Sequence, residues 1–331
     1  MNYYEIKHSA PRGLRKNKPK RQLTPASVIV FFAIETALFL TFGSIIQLRY
    51  GLTGVAITEL GMLVLSVGFA LLYRTDLRSV FPPHRPKLIG LAGCAVLWFG
   101  AILASMLVNL FLVYFFPVPY QMIGEEDSLF QSVPFLLQIL IVAILPAVCE
   151  EALHRGVMQN GIGNRVKNIT VLSVIMGGIF AVFHLYPIKY PGMLILGGMM
   201  SYILAVSGNM IYSSFVHFLN NFISLLVGKL TGILLFPAYG MCASGMRAAG
   251  SISEGAAAAE SGVTFPYIGI SIMTIGIFIP ILLYVGVYLL KRAEAPVRPA
   301  FVPKVPAHPV RNRIVVPTVL IFACGLLITI L

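Results

Sequence analysis

The chain has 331 residues, of which 58% are hydrophobic and 11% are charged, and its mean hydropathy is +0.87. Soluble domains carry about 25% charged residues, so this composition excludes a soluble globular protein and indicates an integral membrane protein. The net charge of +12 does not point to nucleic acid as a partner, because the basic residues are grouped beside apolar segments.

The apolar segments predict an all-α polytopic transmembrane helix bundle of about eight to nine spans. A span needs about 20 apolar residues. In chain order the candidate segments are 26–48, 53–73, 88–115, 133–160, 169–186, 191–206, 210–236, 266–290 and 313–331. The first segment is too long and too badly placed for a cleaved signal peptide, so we expect it to remain as a membrane anchor.

The distribution of Lys and Arg predicts a cytoplasmic N-terminus. The largest groups of basic residues lie in segments 1–21, 74–87, 155–167 and 291–313. If the spans alternate from a cytoplasmic N-terminus, all four groups fall on the cytoplasmic side, and the acidic loop 116–132 falls outside. The positive-inside rule therefore predicts this orientation, and in a prokaryote-like setting the chain would be a multi-pass protein of the cell membrane.

Residues 144–160, ILPAVCEEALHRGVMQN, place ionisable side chains inside an apolar segment, where they are costly and point to function. On a helix, Glu151 and Arg155 share a face and can form an ion pair. Glu150 is rotated away by about 100°, and its own i+4 neighbour is His154. Two interpretations follow: a pair of satisfied helix contacts at a helix end, or a Glu151–Arg155 brace beside a Glu150 that faces a cavity.

Two further segments carry polar side chains of catalytic type. Phe180 and His184 are four residues apart near the end of one predicted span, and His217 and Asn221 share a face of another. Measured from the cytoplasmic ends at about 1.5 Å per residue, Glu150, His184 and His217 can meet near the middle of a ~30 Å core. His184 is the deepest of the three and requires a tilted or late-starting helix.

In this order, the three motifs resemble the pattern of the CPBP (CAAX protease and bacteriocin-processing, or Abi) intramembrane proteases, which include the Ras-converting CAAX prenyl proteases. The motifs are Glu150-Glu151-x-x-x-Arg155, Phe180-x-x-x-His184 and His217-x-x-x-Asn221. His154 departs from the family, which more often has an aromatic or aliphatic residue before the Arg. The resemblance gives Glu151 and Arg155 a supporting role that holds the helix and fixes Glu150.

The resemblance implies an intramembrane endopeptidase. Glu150 would activate a water molecule, with His184 helping to orient it, and His217 and Asn221 would donate hydrogen bonds to the oxyanion. The expected partners are the lipid bilayer and a peptide or lipidated-protein substrate within the membrane, and no nucleic acid.

A metal-dependent mechanism is the alternative for the same residues. Glu150, His184 and His217 would form a His₂Glu set of the kind that holds catalytic zinc. The chain has no H-E-x-x-H pair, and Asn221 is a poor zinc ligand but a good oxyanion donor. We therefore favour a metal-free glutamate mechanism, with zinc as the alternative cofactor.

The resemblance covers about residues 132–235 and suggests four parts of the chain. These are a basic cytoplasmic tail (1–25), N-terminal transmembrane helices (26–131), a CAAX protease-like catalytic core (132–235), and C-terminal helices with an external loop and a Pro-rich linker (236–331).

Two other functions stay open. A proton-coupled transporter would use Glu35, Glu59 and Glu150 as proton sites, and a non-catalytic membrane scaffold would retain the fold alone. The transporter hypothesis predicts inverted repeats or broken helices, and the sequence shows neither. Since Glu35 and Glu59 lie outside the resemblance, we expect them to be buried carboxyls, either protonated or bonded to neighbouring helices.

Overall fold

The computed structural model describes residues 21–115, 133–184, 190–248, 265–294 and 311–330. Within these ranges the chain forms α-helices and short π-helical segments, without a β-strand. The α-helices are α1 (Pro25–Leu38), α2 (Ser44–Leu72), α3 (Leu77–Val80), α4 (Leu88–Phe115), α5 (Phe135–Gln138), α6 (Leu145–Glu151), α7 (Gln159–Gly163), α8 (Ile169–Phe183), α9 (Tyr190–Ser207), α10 (Met210–Ala248), α11 (Phe265–Ser271), α12 (Phe278–Glu294) and α13 (Val316–Ile330). The π-helical segments are Phe39–Gly43, Ile139–Ile144, Ala152–Met158, Ile272–Gly276 and Arg311–Val315.

Seven helical runs in the described ranges are long and apolar enough to cross a membrane. They are Pro25–Leu72, Leu88–Leu112, Phe135–Gly163, Tyr190–Ser207, Met210–Leu230, Pro266–Glu294 and Asn312–Ile330. Helix α8 is a shorter apolar helix. The predicted all-α polytopic bundle is therefore confirmed.

The first run folds back on itself at Gly51. The backbone there has φ 54° and ψ −130°, a conformation that glycine adopts readily and other residues rarely do. Beyond this point the chain retraces its path, since Gln47 Nε2 donates to Thr58 Oγ1 at 2.9 Å and the rings of Phe31 and Phe69 stack at 4.3 Å. The run is thus two antiparallel arms, as the separate predicted segments 26–48 and 53–73 require.

Substituting Gly54 should destabilise this hairpin. A Cβ atom at Gly54 would lie 2.4 Å from the carbonyl oxygen of Ile46 and 2.8 Å from the Cα of Gln47. Because both are backbone atoms that cannot turn aside, Gly54→Ala should cost about 1–3 kcal/mol, the usual range for overpacking. The measurement is the free energy of unfolding in detergent. Gly61→Ala is the matched control, because a Cβ there meets open space, and an equal effect of both changes would contradict the prediction.

Helix α8 is short, and this explains the depth of His184. Its N-cap is Asn168, whose side chain accepts from the backbone N–H groups of Thr170 and Val171. The helix has 15 residues, which is about 22 Å at 1.5 Å per residue. It therefore ends before crossing a ~30 Å core, with His184 at its C-terminal cap.

Helix α10 continues past the end of the predicted span 210–236, to Ala248. The segment 237–248 is too weakly apolar to extend a predicted span. Several other predicted loops and tails lie partly or wholly outside the described residues. These parts are 1–20, 116–132, 249–264 and 295–310.

Hydrogen bonds join the helix ends that were predicted to be cytoplasmic. They link segments that are far apart in the chain, so those ends lie together at one end of the bundle. The contacts are Asn164 Nδ2 to Leu23 O (2.6 Å), Asn160 Nδ2 to Ser79 O (2.8 Å), Met210 N to Pro82 O (2.9 Å), Lys87 Nζ to Ala293 O (2.6 Å) and Tyr212 Oη to Glu294 Oε1 (2.9 Å).

The run Phe135–Gly163, called the site helix below, packs between two groups of helices. Its apolar residues, among them Leu153 and Met158, join a buried cluster with α1, α2 and α8. A second buried cluster joins α4, α8, α9, α10 and α12. Helix α8 contributes to both clusters, so it holds the site helix against the second group.

Candidate active site

Pro146 shapes the site helix where it meets α10. Proline has no N–H group, so the carbonyl of Val142, four residues earlier, lacks its α-helical donor. The backbone before Pro146 widens into the π-helical segment Ile139–Ile144, a distortion often found at functional sites. Asn221 Nδ2 supplies the missing donor to Val142 O at 3.0 Å, which ties α10 to the site helix.

Asn221 is the last member of a short hydrogen-bonded series. Trp98 Nε1 in α4 donates to Asn220 Oδ1 at 3.3 Å, and Asn220 Nδ2 donates to Asn221 Oδ1 at 3.2 Å. The amide of Asn221 is therefore held from both sides. One of its two N–H groups is used by Val142, which leaves the second for another acceptor.

The buried ion pair predicted from the i,i+4 spacing is present. Arg155 Nη1 lies 2.9 Å from Glu151 Oε1, and both side chains are fully buried. Arg155 Nη2 also donates to the carbonyl oxygen of Gly197 in α9 at 3.0 Å, and its guanidinium carbon lies 4.6 Å from the centre of the Phe180 ring. One cation thus links the site helix to α8 and α9.

Gly197 has no side chain, which lets the Phe180 ring pack against it and remain in contact with Arg155. A Cβ atom at Gly197 would lie 2.8 Å from side-chain atoms of Phe180, so any larger residue would displace that ring from Arg155. One turn further along, Gln159 Nε2 donates to Ser201 O at 2.9 Å. The site helix and α9 are therefore joined by two polar contacts one turn apart.

His217 lies between the two adjacent glutamates. Its Nδ1 is 3.2 Å from Glu151 Oε1, and its Nε2 is 4.0 Å from Glu150 Oε2. A carboxylate has no proton to give, so Nδ1–H donates to Glu151 and Nε2 faces Glu150. Glu150 Oε2 itself is buried without a hydrogen-bond partner, which leaves it free to accept a proton.

His184 is oriented by the end of its own helix. Its Nδ1 lies 2.8 Å from the carbonyl oxygen of Phe180, so that nitrogen carries the hydrogen. The other ring nitrogen, Nε2, is then an acceptor in the neutral ring. The ring also lies against Phe180, with 4.6 Å between the ring centres.

The side chains predicted to act in catalysis line one cavity. Glu150, His184, His217 and Asn221 all contribute to a cavity of about 50 Å³, and a water molecule needs about 10–15 Å³. The other lining residues are Asn220, Phe180, Met193, Leu196, Met200 and Val216. Asn220 and the apolar wall from α9 were not predicted. Asn220 directly precedes Asn221, and Met193, Leu196 and Met200 follow helical spacing, but neither feature distinguishes a cavity wall from ordinary packing.

His154 does not pair with the carboxylate of Glu150. Its Nδ1 lies 3.0 Å from the backbone carbonyl oxygen of Glu150, and its ring packs edge-on against Phe32, Phe180 and Phe183. The imidazole thus lies in an aromatic environment formed by side chains of α1 and α8. The interpretation of Glu150 and His154 as a side-chain pair is wrong.

The alternative metal set does not assemble. Among the residues that the structure describes, no group of three His, Cys, Asp or Glu side chains is placed to hold a metal ion, and this includes Glu150, His184 and His217. The donor atoms of these described residues therefore do not fit the alternative zinc site.

Glu35 and Glu59 lie in the hairpin arms and are both buried. Neither carboxyl oxygen of Glu35 has a hydrogen-bond partner, and Oε2 of Glu59 has none. Glu59 is within electrostatic range of Glu150 and Glu35. Neither side chain lines the cavity.

A comparison with known families matches residues 132–223 to the family model described as type II CAAX prenyl endopeptidase, Rce1-like. The match covers the site helix, α8, α9 and the part of α10 that includes Asn221, and it confirms the resemblance drawn from the three motifs. No curated protein and no solved structure matches the chain. The family match supports an intramembrane protease in general, and the apolar helices support a multi-pass membrane protein.

Proposed function

We propose that the chain is an intramembrane endopeptidase in which Glu150 activates a water molecule for hydrolysis of a peptide bond. One observation carries the proposal: Glu150, His184, His217 and Asn221 come from three helices and line one cavity large enough for water. That cavity lies within the segment that matches the protease family.

The first step uses the unpartnered carboxylate oxygen of Glu150. It takes a proton from the water as the water oxygen bonds to the substrate carbonyl carbon. His184 Nε2, an acceptor because Nδ1 is bonded to Phe180, accepts the second hydrogen of the water and fixes its direction. A positioned base of this kind contributes about 10²–10⁴ to the rate.

The negative charge that develops on the carbonyl oxygen needs donors aimed at it. Asn221 offers its second N–H, since the first is held by Val142. His217 would donate to the oxyanion from Nε2 when that nitrogen also carries a hydrogen, because Nδ1–H is bound to Glu151. When the carbon–nitrogen bond of the substrate breaks, Glu150 returns its proton to the leaving amine.

Glu151 and Arg155 act in support. Glu151 orients His217, and Arg155 neutralises Glu151 while bonding to α9. The ion pair thus determines both the direction of the imidazole and the position of the helix that carries Glu150. No step of the proposal passes through a metal ion.

The proposed substrate is a peptide or lipidated-protein segment within the cell membrane. We also propose that the N-terminus of the protease lies in the cytoplasm. The orientation rests on the grouping of basic residues. The joined helix ends agree with it, since they come from predicted cytoplasmic segments near Leu23, Ser79, Asn164 and Ala293.

The test is cleavage of a quenched peptide library, including lipidated tails, by purified protein in detergent. We expect cleavage by the unaltered protein, none by Glu150→Gln, and no effect of a strong chelator. Activity that is lost with the chelator would overturn the metal-free mechanism. Absence of cleavage, with proton flux in proteoliposomes that survives loss of His217 and Asn221, would favour a transporter instead. Absence of both activities would favour a scaffold.

Asn221→Ala should lower kcat by about 10²–10³, the usual cost of losing one oxyanion donor, with a smaller effect on KM. The measurement is steady-state kinetics on a peptide that the library identifies. Ser224→Ala is the matched control, because Ser224 lies one turn further along α10 and bonds only to the backbone of Asn220. An unchanged kcat for Asn221→Ala would contradict the proposed donor.

A further inference from the structure

A second concave site lies away from the catalytic cavity, between α9, α12 and the beginning of the C-terminal helical segment. It is an open groove of about 360 Å³. Its walls include Tyr202 of α9, Leu283, Tyr284 and Val287 of α12, and Arg313 and Pro317. None of these side chains takes part in the proposed hydrolysis.

One end of the groove is positively charged. Arg313 is exposed and lies within electrostatic range of Tyr202 and of Lys291 on α12. Among the described residues, no carboxylate forms an ion pair with Arg313 or Lys291. Glu294, the nearest acidic residue in sequence, is buried and accepts a hydrogen bond from Tyr212. Within the described part of the chain, these two interacting cations therefore lack a compensating anion.

The rest of the groove is apolar and elongated. Its α12 wall runs from Ile279 to Val287, a rise of about 12 Å at 1.5 Å per residue. The charged end lies near Glu294, where the helix ends predicted to be cytoplasmic come together. A ligand that suits the groove has an anionic head, at the depth of the membrane surface, and a hydrocarbon tail that runs toward the membrane centre.

We propose that this groove binds one anionic diacyl phospholipid of the cytoplasmic leaflet. Its phosphate would lie against Arg313 and Lys291, with Tyr202 beside it, and one acyl chain would lie along Leu283 and Val287. Basic pockets between transmembrane helices on the cytoplasmic side are suited to anionic head groups, and tyrosines are enriched at this depth. The proposal does not depend on the proposed protease activity.

The test is native mass spectrometry of the purified full chain with phosphatidylglycerol or phosphatidylcholine of identical acyl chains. We expect at least a tenfold preference for a single phosphatidylglycerol. The double variant Arg313→Gln, Lys291→Gln should lose that preference. Leu283→Trp, which fills the apolar part, should weaken binding of the same lipid at least tenfold.

The matched control removes two other positive charges near the same end of the bundle. Arg78 and Arg165 are both exposed, so Arg78→Gln, Arg165→Gln should leave the preference unchanged. Equal binding of the two lipids, or an equal loss in the control, would overturn the proposal. Displacement of the lipid by glycerol phosphate at similar concentration would also overturn it, because the site would then bind an anion and not a lipid. Thermal unfolding in zwitterionic detergent shows that each variant is folded.

Discussion

Glu150→Gln is expected to lower kcat for peptide cleavage by about 10²–10⁴, the range that a positioned general base contributes. Glutamine has nearly the same shape and fills the same cavity wall, but its amide cannot take a proton from water. The side chain of Glu150 makes no hydrogen bond through Oε2, so its replacement should disturb the fold little. The measurement is kcat with a cleaved library peptide, alongside the thermal stability of both proteins.

Glu35→Gln is the matched control for this change. Glu35 is also a buried carboxyl in an apolar helix, but it does not line the cavity. The Glu35→Gln variant should keep kcat within a factor of about three, far below the loss of about 10²–10⁴ expected when a general base is removed. If Glu150→Gln retained normal kcat while remaining folded, the glutamate mechanism would be wrong. A similar loss in Glu35→Gln would instead implicate the whole set of buried carboxyls.

The local part of the site could be predicted from the sequence. The i,i+4 spacing places Glu151 and Arg155 on one face, and a helical rotation of about 100° per residue separates them from Glu150. Both relations are internal to one helix, so they do not depend on how the helices pack. The meeting of Glu150, His184 and His217 was also predictable, because membrane thickness limits the depths at which side chains in different helices can lie.

The partners across helices could not be predicted in the same way. His217 was assigned as an oxyanion donor, but nothing in its spacing indicates that Nδ1 bonds to Glu151. Every residue has a backbone carbonyl, so the sequence cannot indicate that the carbonyl of Gly197 accepts a hydrogen bond from Arg155. His154 was expected beside Glu150 because it is four residues away, yet its ring turns into an aromatic cluster from α1 and α8.

Helix boundaries show a similar limit. The spans 26–48 and 53–73 were separated by hydropathy alone, although the turn itself depends on Gly51, whose positive φ no hydropathy plot records. Helix α10 extends beyond its predicted span, because a helix need not end where hydropathy falls. Pro146 leaves the carbonyl of Val142 without its α-helical donor, and the backbone widens into a π-helical segment there. The sequence does not show that Asn221 in α10 supplies the replacement donor.

Arg155→Met should destabilise the protein by about 3–5 kcal/mol, the usual cost of removing one partner of a buried ion pair. Methionine keeps the length and much of the volume of the side chain, so lost packing is small. Glu151 would then be left as a buried carboxylate without its cation, and Gly197 O would lose its donor. The measurement is the free energy of unfolding in detergent, with Arg78→Met as an exposed control that should change it little.

The double variant Glu151→Gln, Arg155→Met separates charge burial from packing. With both charges removed, no uncompensated ion remains, so the double variant should be more stable than Arg155→Met alone even though it carries one more substitution. Because a neutral amide then faces His217, kcat should stay low while stability recovers. If the destabilisation by Glu151→Gln and by Arg155→Met were instead additive, the Glu151–Arg155 ion pair would contribute through packing alone. Other contacts would then have to hold Glu150 in position.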